Sequence, residues 1–253
     1  MRHFSLQVLT ILLLPILYFN GKKIRRSVPK LPEAEGPQGV SGDQFSKKIK
    51  LVTVGESTIA GVGAASHKIG FTGTLSDELS EALSTKIEWQ VLARSGYTAK
   101  QVKYKLIPKI PAADLIVIGL GGNDAFTLNS PGRWKTTTRE IIQTLRISHP
   151  DTPIFFTNMP PIKSFPAFTA PIKWTIGNWV ELLGQGLAEV CAAFPNVYYN
   201  EELITLPVWC KRHHIKGDVS QFFSDGVHPS ELTYQVWARD YAAFILKSGA
   251  NLF

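Results

Sequence analysis

Cysteine and methionine are scarce in this 253-residue chain, with two of each. Cys191 and Cys210 are too few for a disulfide framework, and their spacing fits no zinc motif. They can pair in an oxidising compartment or stay as thiols. A large, well-cored domain has little need of a bridge, so free thiols are the expectation. Charge is also sparse, at 19% of residues against 44% hydrophobic. That balance excludes a disordered chain and leaves ample material for a buried core.

Basic charge is missing from the domain as a net quantity. The chain carries a formal +7. Residues 1–50 hold nine Lys/Arg against three Asp/Glu, while residues 51–253 hold eighteen against seventeen. The folded part is thus almost neutral, which argues against a nucleic-acid surface.

No apolar run reaches the roughly 20 residues of a typical spanning helix. Residues 4–19, FSLQVLTILLLPILYF, come nearest, with sixteen uncharged positions. No small-x-small cleavage site follows, and no Cys is placed for a lipid anchor, so residues 1–20 read as an uncleaved membrane anchor. Arg2 precedes the run and Lys22, Lys23, Arg25, Arg26 and Lys30 follow it, which favours a domain on the cytoplasmic side. A cleaved leader on a secreted or periplasmic protein is the alternative. Residues 21–49 read as a basic, Pro/Gly-rich linker, and residues 50–253 as the domain.

Within that domain apolar strands alternate with amphipathic segments. Strands are expected at 50–55, 86–93, 113–120, 152–158 and 196–201. Helices are expected at 71–84, 98–108, 132–148, 174–194 and about 230–247, with a long loop over 203–229. Leu115-Ile116-Val117-Ile118 has no polar alternation, as suits a parallel strand buried on both faces. The alternation implies an α/β fold with a doubly wound parallel sheet, whose ligands bind beyond the carboxyl ends of the strands.

The chemistry-bearing residues fall at those ends. Ser57 follows the first strand in Gly55-Glu56-Ser57-Thr58, and reads either as a nucleophile at a sharp turn or as a helix cap. Gly96 follows the second strand, either approaching a ligand or serving a turn. Asn123 follows the third in Gly121-Gly122-Asn123-Asp124. Its amide can donate to an oxyanion, or it can be a turn residue. Asp124 stands where a dinucleotide fingerprint needs its third glycine, so that reading fails. Before the last helix, Asp225-Gly226-Val227-His228-Pro229 sets a carboxylate three residues from an imidazole. That spacing lets Asp225 hold one ring nitrogen and leaves the other free to take a proton. Four such sites on one sheet edge are more specific than any one of them.

Taken together these blocks resemble the SGNH (GDSL-type) hydrolase family, over residues 50–247. The matching residues are Gly55-Glu56-Ser57, Gly96, Gly122-Asn123-Asp124 and Asp225-Gly226-Val227-His228-Pro229. The resemblance implies a flavodoxin-like three-layer α/β/α sandwich around a five-stranded parallel sheet. It further implies a serine esterase with Ser57 as nucleophile, His228 as general base and Asp225 as its partner. The oxyanion hole would be the Ser57 and Gly96 backbone N–H groups and the Asn123 amide. The family usually has Asp before the serine; here it is Glu56. The G-x-S-x-G pattern of α/β-hydrolases is absent, because Ile59 stands two residues after Ser57.

Such a triad needs no metal or cofactor, and His67, His213 and His214 have no partner pattern that calls for one. His213 and His214 read as surface residues. The expected substrate is a small-molecule or lipid ester, with Phe165, Phe168 and Trp174 either lining an acyl pocket or covering the core. Sugar O-deacetylation, thioester hydrolysis on the same triad and an inactive tethered binding domain are the rival readings.

Overall fold

The computed structural model describes residues 28–252 throughout and, before them, positions 13, 15, 17–24 and 26. The apolar run 4–19, expected as an anchor, falls largely outside the described residues. The described positions between 13 and 24 are helical, as is position 26. Among the described residues no helix is long and apolar enough to cross a membrane.

Six strands form one sheet in the order β1-β3-β2-β4-β5-β6. They are β1 (Gln38–Ser41), β2 (Lys48–Gly55), β3 (Lys86–Ala93), β4 (Leu115–Gly119), β5 (Ile154–Phe156) and β6 (Val197–Tyr199). The last five run parallel, and β1 pairs antiparallel with β3. The helices are α1 (Phe71–Leu83), α2 (Ala99–Lys105), α3 (Gly122–Phe126), α4 (Pro131–Ser148), α5 (Ala170–Cys191), α6 (Leu206–Arg212) and α7 (Glu231–Lys247).

The central strands are buried on both faces, as their unbroken apolar runs require. Leu51, Leu115, Val117 and Phe155 pack in one layer with Phe71, Leu75 and Leu79 of α1 and with Tyr234, Trp237 and Tyr241 of α7. Val52, Val54, Ile116, Ile118 and Phe156 pack in the other, with Trp134, Ile141 and Leu145 of α4 and with Trp179 and Leu183 of α5. The register pairs Gly55 with both Ala93 and Gly119, so the three central strands end together at one edge. Both cysteines are free; burial pushes the Cys191 thiol up to about 12.

The sheet has six strands rather than the five expected. The sixth, β1, lies in the segment expected as linker. Its sequence, QGVS, has one large apolar residue, Val40, and that side chain is exposed. Neither alternation nor apolar content marks it as a strand, and it is held by main-chain pairing. Gly39 permits that pairing, because a Cβ there would lie 2.2 Å from the Trp89 ring. The expected loop 203–229 holds α6, which opens with Pro207 in its first turn. Proline reads as a breaker but is tolerated at a helix start, where its missing N–H costs nothing.

Trp134 joins two helices of one layer. It is fully buried, and its indole N–H donates to the Leu183 carbonyl at 2.8 Å. Trp134→Ala is expected to lower unfolding free energy by about 3–5 kcal/mol, as large aromatic truncations in cores do. Urea denaturation followed by circular dichroism measures it.

Candidate active site

β2 ends at Gly55 and the chain turns at once. Glu56 N–H donates to the Gly119 carbonyl at 3.1 Å, and Ala60 and Val62 close successive turns on the Glu56 and Ser57 carbonyls. The next helix, α1, begins only at Phe71, so Ser57 is not a helix cap. Its side chain borders a cavity that also meets Asn123 and His228.

After β3, residues 94–97 form a tight turn closed by Tyr97 N–H on the Arg94 carbonyl at 3.3 Å. Gly96 takes φ +83 at its third position, where a type II turn requires a residue without a side-chain penalty. Gly96 is exposed and is not among the residues bordering the cavity. Among the described residues, neither the Gly96 N–H nor the Ser57 N–H donates to a protein acceptor.

Asn123 lies in the first turn of α3. One hydrogen of its amide goes to the Tyr97 carbonyl at 3.0 Å, which ties the loop after β4 to the turn after β3. An amide carries two N–H groups, and the same side chain is also a hydrogen-bond partner of the Glu56 carboxylate. The adjacent Asp124 is fully buried. Its carboxylate accepts from Ala99 N–H at 2.7 Å and the Asn129 amide at 2.8 Å, fixing the start of α2. Burial raises its pKa against those bonds.

Glu56 reaches across from β2 to the end of β4. Its carboxylate accepts from Gly122 N–H at 2.7 Å and from Asn123 N–H at 3.0 Å. The longer arm of glutamate thus spans to the Asn123 loop. Burial pushes this carboxyl up to about 7, although both backbone N–H groups pull the other way.

The loop before α7 is built around Asp225. One carboxylate oxygen accepts from Val227 N–H at 2.9 Å and His228 N–H at 2.7 Å, and the other meets His228 Nδ1 at 2.7 Å. The Asp225 side chain is wholly buried, while the His228 ring is partly exposed. Burial pushes the Asp225 carboxyl up, but the His228 ring and the two backbone N–H groups outweigh it and hold it below its ordinary value. With Nδ1–H held by the carboxylate, Nε2 is the proton acceptor. Ser224 Oγ donates to the carbonyls of Gly63 and Pro229 at 3.0 and 3.1 Å, and Tyr234 donates to the Val62 carbonyl at 2.8 Å. These bonds fasten the Asp225/His228 loop to the turn that carries Ser57.

The cavity has a volume of about 110 Å³ and a mainly apolar wall that includes Leu120, Phe126, Phe165, Leu206, Trp209 and Trp237. Phe165 borders the cavity. Phe168 is buried behind it, with ring centroids 5.2 Å apart, and does not border the cavity. Trp174 is 44% exposed in the first turns of α5, away from the cavity, so the apolar-pocket reading does not hold for it. Leu206 and Trp209 lie inside the expected loop; the sequence signal for them is their three-residue spacing around Pro207. His213 is not a free surface residue, since its Nε2 meets Asp240 at 2.8 Å. Among the described residues no group of three or more His, Cys, Asp or Glu is placed to hold a metal ion.

A parallel α/β sheet carrying a serine, an Asp–His pair and a side-chain amide at one edge has the layout of a serine-type ester hydrolase. Residues 53–236 match the GDSL-like lipase/acylhydrolase family, and the chain belongs to it; it is a carboxylic ester hydrolase. Solved structures with the same fold include a lipase from a goat rumen metagenome, at TM-score 0.62 and 20% identity over 81% of this chain and all of that one. A Clostridium thermocellum family 3 carbohydrate esterase aligns at TM-score 0.55 and 19% identity, over 81% of this chain and all of that one. An acetyl xylan esterase from Geobacillus stearothermophilus aligns at 0.56 and 16%, over 82% and 98%. No curated relative matches the chain by sequence.

Glu56 makes a prediction about pH. Its folded-state value of about 7 lies above the ordinary 4.5, so the folded protein holds this proton more tightly than the unfolded one. The stabilisation is complete below about pH 4.5 and is lost as pH rises through about 7. Wild type should therefore lose about 3 kcal/mol relative to Glu56→Gln between those limits. Parallel urea titrations at several pH values measure the difference, which isolates Glu56 from the opposite contribution of Asp225.

Proposed function

We propose that Ser57, His228 and Asp225 form the catalytic triad and that the enzyme hydrolyses carboxylic esters by two-step acyl transfer. The observation that carries this reading is the 2.7 Å pairing of His228 Nδ1 with a buried carboxylate, beside a serine that borders the same apolar cavity. His228 Nε2 takes the Ser57 proton as Oγ attacks the carbonyl carbon. The oxyanion is met by the Ser57 backbone N–H and the Asn123 amide, which border the cavity, and by the Gly96 N–H, whose turn Asn123 holds next to it. The carbon–oxygen bond to the alcohol then breaks, and His228 returns the proton to the leaving oxygen. Water, deprotonated by the same nitrogen, releases the acid.

The cavity supports an apolar acyl group of limited length. An apolar cavity of roughly 150 Å³ holds a benzene-sized molecule, and this one is smaller. The mainly apolar wall favours a simple acyl ester over an acetylated sugar. For location, the apolar run 4–19 and the basic residues after it support a membrane tether, on the side favoured by positive charge. Retention of the full chain in carbonate-washed membranes is the expected result, and release of a shortened soluble form would establish a cleaved leader instead.

A fluorophosphonate probe should label wild type and leave Ser57→Ala unlabelled; an unlabelled wild type would sink the triad. Asn123→Ala should lower kcat by about 100-fold or more. On p-nitrophenyl esters, acyl chains of about two to six carbons should be cleaved faster than chains of about twelve. Activity confined to acetyl esters would favour the deacetylase reading.

A further inference from the structure

The segment before the family domain touches the site. The family match begins at residue 53, yet residues 33–41 are fastened to two of the loops on the catalytic edge. Ala34 N–H donates to the Ala60 carbonyl at 2.9 Å, Glu35 N–H to Ala65 at 3.2 Å, and His67 N–H returns to Glu35 at 2.8 Å. These bonds hold the segment against the stretch that follows Ser57. β1 then runs along β3, with Val91 N–H on the Pro37 carbonyl at 2.8 Å.

Just ahead of both attachments in the chain stands Glu33. One carboxylate oxygen accepts from Ser95 N–H at 2.7 Å, and the other meets the Arg94 guanidinium at 3.2 Å. Arg94 is mostly exposed, so that ion pair contributes little. The bond to Ser95 N–H is the one that positions main chain, because a carboxylate is a strong, directional acceptor. Ser95 and Gly96 are consecutive in the turn, so the peptide plane that Glu33 holds is joined through the Ser95 Cα to the plane carrying the Gly96 N–H, and anchoring the first restricts the second. From the opposite side Asn123 holds the Tyr97 carbonyl. The turn is therefore gripped at both ends, and the N–H of Gly96 between them has no protein acceptor.

We propose that Glu33 is a positioning residue for the oxyanion hole: it holds the Arg94–Tyr97 turn so that the Gly96 N–H points at the developing oxyanion. This rests on the triad reading above. The residue belongs to the segment ahead of the family domain, which makes that segment part of the catalytic apparatus. A donor displaced by about 1 Å can cost on the order of 100-fold in rate. Glu33 does not touch substrate, so its removal acts on kcat and leaves KM nearly unchanged.

The test compares Glu33→Ala and Glu33→Gln with wild type, using the full chain and a p-nitrophenyl ester. Glu33→Ala should lower kcat by about 10-fold or more, with KM within about 3-fold. Glu33→Gln keeps a carbonyl oxygen that accepts from Ser95 N–H, and should recover kcat to within about 3-fold of wild type. Amide hydrogen exchange at Ser95 should quicken in Glu33→Ala and not in Glu33→Gln. Should the alanine variant fail to fold, Glu33→Asp, whose shorter arm falls short of the Ser95 N–H, takes its place in both measurements, and unchanged kcat and exchange in it overturn the proposal. A Glu33→Ala enzyme with wild-type kcat, or equal losses in both variants, overturns the proposal. Ser57→Ala runs in the same assay: if it stays active the triad reading fails, whereas an inactive Ser57→Ala beside a fully active Glu33→Ala removes only the role of Glu33.

Discussion

A single buried carboxylate joins the two central strands at the edge that carries the candidate active site. Glu56 leaves the end of β2 and takes the Gly122 and Asn123 N–H groups beyond the end of β4. Those N–H groups open α3, so the carboxylate also sits where a helix start favours negative charge. Without it, two buried donors would stand unpaired, and an unpaired buried donor costs about 1–3 kcal/mol. The residue before Ser57 and the main chain of Asn123 are thus one bonded unit. The position of Asn123 relative to Ser57 follows from that unit rather than from either loop alone.

The remaining site loops are attached to this unit by further polar bonds. Asn123 takes hold of the Tyr97 carbonyl. Ser224 and Tyr234 seize the carbonyls at Gly63 and Val62. The arrangement is a closed circuit of main-chain groups around a small apolar cavity, with few long side chains left to wander. Such a circuit suits acyl transfer, where the donors must be in place before charge appears on the oxygen.

Much of this was legible from residue order. The β4 run is apolar without interruption, β2 is largely apolar from Leu51 and β3 alternates with its apolar residues buried, and their ends carry the Ser57, Gly96 and Asn123 blocks in sequence. The Asp225/His228 spacing encodes a local contact that three residues can make unaided. What could not be read depends on distance in the chain. β1 has no pattern of its own, because its role is to satisfy the main chain of β3. Leu206 and Trp209 lay in a stretch whose proline suggested a loop. Trp174 has the composition of a pocket residue, but its place on α5 turns it to solvent. Nothing in the Pro/Gly-rich run marks Glu33, since its partner Ser95 lies 62 residues along the sequence.

The short antiparallel strand has a consequence for how this protein avoids its own kind. A five-strand parallel sheet beginning at β3 would present a row of bare amides and carbonyls to any other chain with an extended segment. β1 covers that row with four residues, two of them a glycine and a serine, and it is too short and too polar to recruit a further strand. At the opposite border β6 has only three residues. The sheet is therefore blunt at both ends, and a chain trimmed back to the start of β2 would gain a sticky margin along the full length of β3.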